Sequence, residues 1–503
     1  MENQIGTVFH YNQIPDVSSF PFIISKHANN IIIKKGLFVC TKSKEGFLIG
    51  IIEKIILLNE YFSDALTIKT YNDNKNPNIL KGLFPSEDFE FALAIVKCLG
   101  IIEFNGTNNK IHKIHRMTYP ANPGGEVYLV EDNIINEFIG FDIKNGLNLG
   151  NMKGSDLKAM VSIDRLLNKH FAILSISGGG KSYLTSILIE ELLSKKEEVP
   201  CIILIDIHGE YSYLKDIKEL KNNIEVQNIS YFQIATSKIS PWSFRKYQQQ
   251  ISYAQVRELS KYIQKLNNDK NGKFSLHDII ELIESDPEGN KNTKQALIGW
   301  LSELERLNLF GVQENPNLKN LVRKGKLIIF SLQKEINLRK KQIIIDYLLN
   351  RLFYLRRMEK ISPILFILEE AHQLCPESSQ STAISKKIIE TIAREGRKFM
   401  ACLCLISQRP KKLSTTTLSQ MNSKMVLNIK NPYDLKHLMD SSEAITKEYA
   451  NMISSLGVGE MLLMGNVVNY PVFVNVRERN FKSNCENVSL TKVCLNWQNK
   501  ELS

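Results

Sequence analysis

The chain has 503 residues, 43% of them hydrophobic and 23% charged, which is close to globular averages; wholesale disorder and a single small domain are both excluded, and length alone sets about three domains as a starting expectation. Sixty-four Lys and Arg against 53 Asp and Glu leave a net charge of +11, a balance that favours a polyanionic partner such as nucleic acid and speaks to association, not to fold. No uninterrupted apolar run reaches the roughly 20 residues of a membrane span, so no membrane partner is expected.

The eight cysteines lie far apart with no C-x-x-C pair, and the N-terminus has no leader pattern; a reducing, cytoplasmic compartment is expected. The first hundred or so residues alternate short β-like runs (IGTVFHY, FPFIIS, NNIIIKKGLFVCTK, GFLIGIIEKIILL) with turns at Gly36 and Gly46. Such spacing predicts a small all-β barrel or sandwich. A helix is predicted around Phe89–Cys98, then strands in IIEFNG and KIHRMTYP and a turn at Pro123-Gly124-Gly125. His112 and His115 lack the third and fourth ligands that a zinc site needs. These segments form a β-rich module over residues 1–125.

From 126 to 240 the pattern changes to that of an α/β core. The stretch Phe171–Leu184, FAILSISGGGKSYL, runs from an apolar strand through three glycines and Lys-Ser into a helical pattern, as a phosphate cradle requires. Gly178, Gly179 and Gly180, flanked by Ser177 and Tyr183, let backbone N–H groups turn inward; Lys181 can reach β/γ-phosphate oxygens and Ser182 can hold Mg²⁺, so ATP with Mg²⁺ is the implied ligand. One place departs from G-x-x-x-x-G-K-[ST]: Ser175 stands at the first glycine. The run CIILIDIHGEY reads as a strand buried on both faces that ends in Asp206, His208, Glu210 and Tyr211, where α/β sheets bind ligands.

Residues 241–326 read as an α-helical insertion, with Ser275 and Asp278 as a capping pair. The core resumes over 327–480. SPILFILEEAHQL ends an apolar strand in two carboxylates, Glu369 for the metal side and Glu370 to polarise the attacking water. AISKKIIETIAREGRKF carries Arg394 and Arg397 on one helical face, either able to act as a finger toward a neighbour's site. ACLCLISQRP is a further buried strand, with Cys402 and Cys404 on one face and Gln408 at its end as a water-orienting amide. Lys411 and Lys412 just beyond it are candidate phosphate contacts, and 481–503 is a polar, peripheral tail.

The order ISGGGKS, LIDIHGEY, LFILEEAH, AREGRKF and ISQRP, behind a β-rich N-terminal module, resembles the HerA branch of the HerA/FtsK hexameric DNA translocases. The resemblance implies an α/β fold: a RecA-like P-loop motor domain with an N-terminal barrel of the HerA type and a helical insertion. It also implies a homo-hexameric ring that moves along duplex DNA with a nuclease or other effector. By the same resemblance Lys181 and Ser182 bind phosphate and Mg²⁺, Glu369 takes the metal position, Glu370 is the catalytic carboxylate, Gln408 the sensor, and Arg394 or Arg397 acts in trans. A second reading is a nucleotide-bound ring that positions a sirtuin-like or nuclease effector in anti-phage defence.

Overall fold

A computed structural model describes residues 4–10, 15–25, 32–59, 62, 64–73, 90–104, 111–195, 198–288, 290–377, 383–442 and 445–481; the expected tail beyond Phe481 lies outside them. The chain forms two compact units, one of residues 1–146, 150–161 and 468–475, the other of 147–149, 162–467 and 476–503.

The first unit is built on seven strands: β1 (Gln4–Val8), β2 (Ser19–Ile24), β3 (Phe38–Ser43), β4 (Gly46–Asn59), β5 (Glu90–Phe104), β6 (Ile111–His115) and β7 (Glu126–Leu129). Their order is β2-β1-β7-β3-β4-β5, and β5 pairs back onto β2, so six strands close into a barrel while β6 adds to β5. Closure removes the unpaired edges that an open sheet would present. Ile5, Phe20, Phe22, Val39, Leu48, Val96 and Val127 fill the interior. The helix expected around Phe89–Cys98 is not there: Phe89 lies outside the described residues, and from Glu90 on this stretch belongs to the fifteen-residue strand β5, paired antiparallel with β4 from Phe47↔Ile102 to Asn59↔Glu90. The register of β4 against β5 shifts at Ile49/Gly50, where a Cβ on Gly50 would lie 2.3 Å from Val96 Cγ1. A bulge at a glycine lets the long hairpin bend around the barrel.

The barrel extends past the boundary expected at 125, because β7 bridges β1 and β3. A hairpin of β8 (Leu147–Met152) and β9 (Lys158–Val161) follows. Residues 468–475, expected in the core, cluster with the first unit, where Tyr470 stacks on Phe138 at 4.5 Å and Asn469 Nδ2 donates to Phe138 O at 2.8 Å.

The second unit carries β10 (His170–Leu174), β11 (Cys201–Asp206), β12 (Ile224–Asn228), β13 (Ile234–Ala235), β14 (Phe310–Gly311), β15 (Leu327–Ser331), β16 (Ile364–Leu368), β17 (Ala401–Ser407), β18 (Met421–Val426) and β19 (Glu460–Gly465). The sheet order is β12-β15-β11-β16-β17-β10-β18-β19, parallel except for β19. Every residue of β10, β11, β16 and β17 is buried, which is why these strands read as unbroken apolar runs and not as alternation. Four strands adjacent in space, β11, β16, β17 and β10, therefore deliver their carboxyl ends side by side.

The insertion is helical: Pro241–Tyr247, Tyr253–Asp269, Leu276–Ser285 and Lys291–Glu305. Ser275 and Asp278 form the expected capping box, and Ser252 with Gln255 forms a second. The parallel pair β13 and β14 ties the insertion's two ends together. The long helix expected after β15 is Leu338–Arg357. No helix among the described residues is long and apolar enough to cross a membrane.

Candidate functional site

Beyond Leu174, the loop is pinned to the strands on either side of β10. Ser175 N donates to Ser407 O at 3.2 Å and Ile176 N to Asn428 O at 3.0 Å. Gly178 (φ 74°) and Gly180 (φ 94°) then take left-handed conformations that other residues adopt only at a cost, and the helix Lys181–Ser194 begins.

Position 175 makes no such demand: Ser175 is not among the residues with positive φ. It is fully buried, and its Oγ has no hydrogen-bond partner. A Cβ on Gly179 would lie 2.0 Å from that oxygen. The departure at the first glycine is thus matched by a glycine four residues on.

Lys181 is 8% exposed, and its ammonium makes no hydrogen bond among the described residues. Burial pulls its pKa below the ordinary value, against the opposing pull of Glu370, Glu210 and Glu369. A buried cation at the mouth of a glycine loop, beside the positive end of a helix, fits a phosphate.

The carboxylates separate into different jobs. Asp206 is fully buried and accepts from the N–H groups of Gly209 (2.7 Å), Glu210 (3.0 Å) and Tyr211 (3.1 Å), so it folds the HGEY segment around itself. Glu369 Oε2 accepts from Ile207 N at 3.0 Å and His208 N at 3.4 Å; burial, with Asp206 and Glu210 nearby, pushes its carboxyl up to about 9. Glu210 accepts a hydrogen bond from Ser182 Oγ.

Glu370 sits in the left-handed region (φ 47°, ψ 43°), a conformation that non-glycine residues keep only where the surroundings impose it. Gln408 Nε2 donates to its Oε1, and its Oε2 lies 3.2 Å from His372 Nδ1. That same nitrogen is 3.2 Å from Ser407 Oγ. Burial first, then the charges of Arg409, Lys412 and Lys181, hold His372 down to about 4, so its ring is neutral at pH 7.

The structure thus gathers Gly178, Gly179, Gly180, Lys181, Ser182, Glu369, Glu370 and Gln408 at one end of the sheet. Ser177 is exposed on the loop. Tyr183 is engaged by the C-terminal segment, its hydroxyl accepting from Arg479 N at 3.0 Å and its ring lying 4.5 Å from the Arg479 guanidinium. Arg394 and Arg397 are elsewhere. The helix Lys386–Glu395 ends before Arg397, which stands in the 3₁₀ turn Gly396–Phe399; a Cβ on Gly396 would lie 2.4 Å from Ala401 O, so the turn packs there against the start of β17 only with a glycine. Both arginines are exposed and precede the first residue of β17, whereas the loop, the glutamates and Gln408 follow the last residues of their strands. Lys411 rests its ammonium 4.4 Å over the Tyr433 ring.

Two partners were not assigned from sequence. His372 lies two residues beyond Glu370 in EEAH, a proximity that is a usable signal. The Ser182–Glu210 bond joins residues 28 apart in different loops, and no periodicity announces it.

Known proteins are similar to this chain over most of its length. Residues 147–352 match the family described as Helicase HerA, central domain. A probable helicase of Methanocaldococcus jannaschii is 27% identical, covering 92% of this chain and 94% of that protein. The DNA double-strand break repair helicase HerA of Pyrococcus furiosus is 25% identical over 92% of this chain and 90% of its own length. Among solved structures, VirB4 of Thermoanaerobacter pseudethanolicus superposes with a TM-score of 0.54 at 13% identity, covering 68% of this chain and 98% of that one, a likeness of fold.

Proposed function

From the match of residues 147–352 to the family described as Helicase HerA, central domain, we propose that this chain is an ATP hydrolase of the HerA type that acts on DNA as a homo-hexameric ring, with ATP at the subunit interfaces and a separate effector subunit as partner. One observation carries the reading: the glycine loop with Lys181, and the Glu370–Gln408 pair, stand at the carboxyl ends of three strands adjacent in the sheet, β16, β17 and β10. The loop and Lys181 bind the phosphates. Ser182 and a carboxylate beside it hold Mg²⁺, which when bound neutralises charge on the β- and γ-phosphates.

Glu370, fixed on one side by Gln408 and on the other by neutral His372, orients the attacking water and accepts its proton. Gln408 links that carboxylate to the γ-phosphate position, so loss of the phosphate is felt along β17. Charge that develops on the transferred group needs a cation, and Arg394 and Arg397 lie at the wrong end of their own sheet to supply it. In a ring of heterologous contacts a neighbour's arginine does so, which makes turnover depend on assembly. The net charge of +11 suits a polyanion in the ring.

Native mass measurement with ATP and duplex DNA tests the ring. A hexamer that forms with wild type and with Glu370→Gln supports the proposal, and a monomer under every condition overturns it. Glu370→Gln also separates a motor from a nucleotide-bound scaffold: a motor loses its effector-coupled activity, and a scaffold keeps it as long as ATP binds.

A further inference from the structure

Of the acidic residues around the loop, only Glu210 touches Ser182 among the described contacts. Ser182 has a single O–H and two lone pairs. With the O–H spent on Glu210, the lone pairs are left for a cation, so the hydroxyl is already oriented as a metal ligand. A cation held by the Ser182 hydroxyl would therefore lie beside the Glu210 carboxylate.

Glu369 is placed differently. Its Oε2 is taken up by the N–H groups of Ile207 and His208, which hold the start of the loop that carries Glu210. Asp206 then closes that loop with three further N–H bonds. Next to Glu210, Tyr211 is fully buried, its hydroxyl set against Thr185 and Ser182 of the Lys181–Ser194 helix. A Cβ on Gly209 would collide with the Gln333 side chain at 2.4 Å. The loop is thus held at its base and at Tyr211 while His208 and Glu210 stand exposed, and what it presents to Ser182 is one carboxylate.

We propose that Glu210, at the end of β11, is the carboxylate on the metal side of the nucleotide site, and that Glu369 is the residue that positions its loop. This rests on the reading of the glycine loop as an ATP site and assigns within it the place that sequence order gives to Glu369.

The test is Mn²⁺ titration by electron paramagnetic resonance of the full chain with ATP, alongside ATP binding in EDTA. Glu210→Gln keeps an acceptor for Ser182 and removes only the charge; Glu369→Gln keeps an acceptor for Ile207 and His208. Expected is a roughly 10- to 100-fold loss of Mn²⁺ affinity in Glu210→Gln, with ATP binding in EDTA unchanged and Glu369→Gln close to wild type. Wild-type Mn²⁺ affinity in Glu210→Gln, with the loss in Glu369→Gln, overturns the assignment. Failure of the wild type to bind ATP with or without metal overturns the ATP-site reading itself, a separate result.

Discussion

Gly179→Ala probes the match between the loop and the serine at its first position. The backbone at 179 is not in the left-handed region, so alanine adds no torsional strain; any cost is contact. The new Cβ would stand 2.0 Å from Ser175 Oγ and 3.4 Å from Ser175 Cβ. Ser175 is fully buried, so rotating the hydroxyl away drives it into packed neighbours. Such overpacking costs about 1–3 kcal/mol. Ser175→Gly removes the obstacle together with a buried hydroxyl that has no partner, a gain offset by roughly 0.5–1 kcal/mol of glycine backbone entropy. The double variant should therefore recover most of what Gly179→Ala loses, with a coupling of about 0.5–3 kcal/mol. ATP affinity by fluorescence titration, and the midpoint of the urea transition that ATP shifts, measure the four proteins of the cycle. Where the loop yields and the whole cost falls on binding, Gly179→Ala weakens ATP by ~5- to 150-fold. An equal loss in the wild-type and Ser175→Gly backgrounds would refute the matched-pair account.

Lys424, 4% exposed on β18, donates to Met421 O at 2.8 Å, and burial lowers its pKa to about 8 from 10.5. The folded state therefore binds fewer protons than the unfolded state between these values, and stability rises as pH climbs from about 8 to about 10.5. Below pH 8 the buried charge costs about 3 kcal/mol, so Lys424→Met should stabilise at pH 7 by about 2 kcal/mol once the lost hydrogen bond is counted. It should also flatten the rise; urea unfolding at pH 7 and pH 10 that shows the same slope in both proteins refutes this. Glu370→Gln should cut single-turnover hydrolysis by roughly 10²–10⁴ while ATP still binds; wild-type turnover removes Glu370 from the chemistry. Arg394→Ala or Arg397→Ala should leave ATP affinity intact and abolish turnover, and mixing the damaging variant with Glu370→Gln should restore partial activity through interfaces that pair an intact glutamate with an intact arginine. No recovery in mixtures contradicts a role in trans.

The nucleotide end of the fold was legible because strands buried on both faces must be apolar throughout and must stop in polar residues. CIILID, ILFIL and ACLCLIS announce both their depth and the place where chemistry can begin. The same property misleads in the barrel. FALAIVKCLG has no breaker and no clear period, and apolar runs of this kind do not separate helix from strand; only the partner strand β4 decides it. Arg394 and Arg397 stand on either side of the change from α-helix to 3₁₀ turn at Gly396, a change that their spacing alone does not announce. For Glu210 the sequence marks a place at the ligand-binding end of its strand but no specific partner, since Ser182 meets it only once two loops fold together. The glutamate pair was read by order along the chain, and order does not tell which carboxylate is taken up by backbone N–H groups.

The most direct measurement of the central claim is ATP turnover by the purified chain with and without duplex DNA, across a range of protein concentrations. The account predicts a rate per chain that rises as subunits assemble, rises further with DNA in a salt-dependent way, and disappears in Glu370→Gln. A rate independent of both assembly and DNA, or one that survives Glu370→Gln, would contradict it.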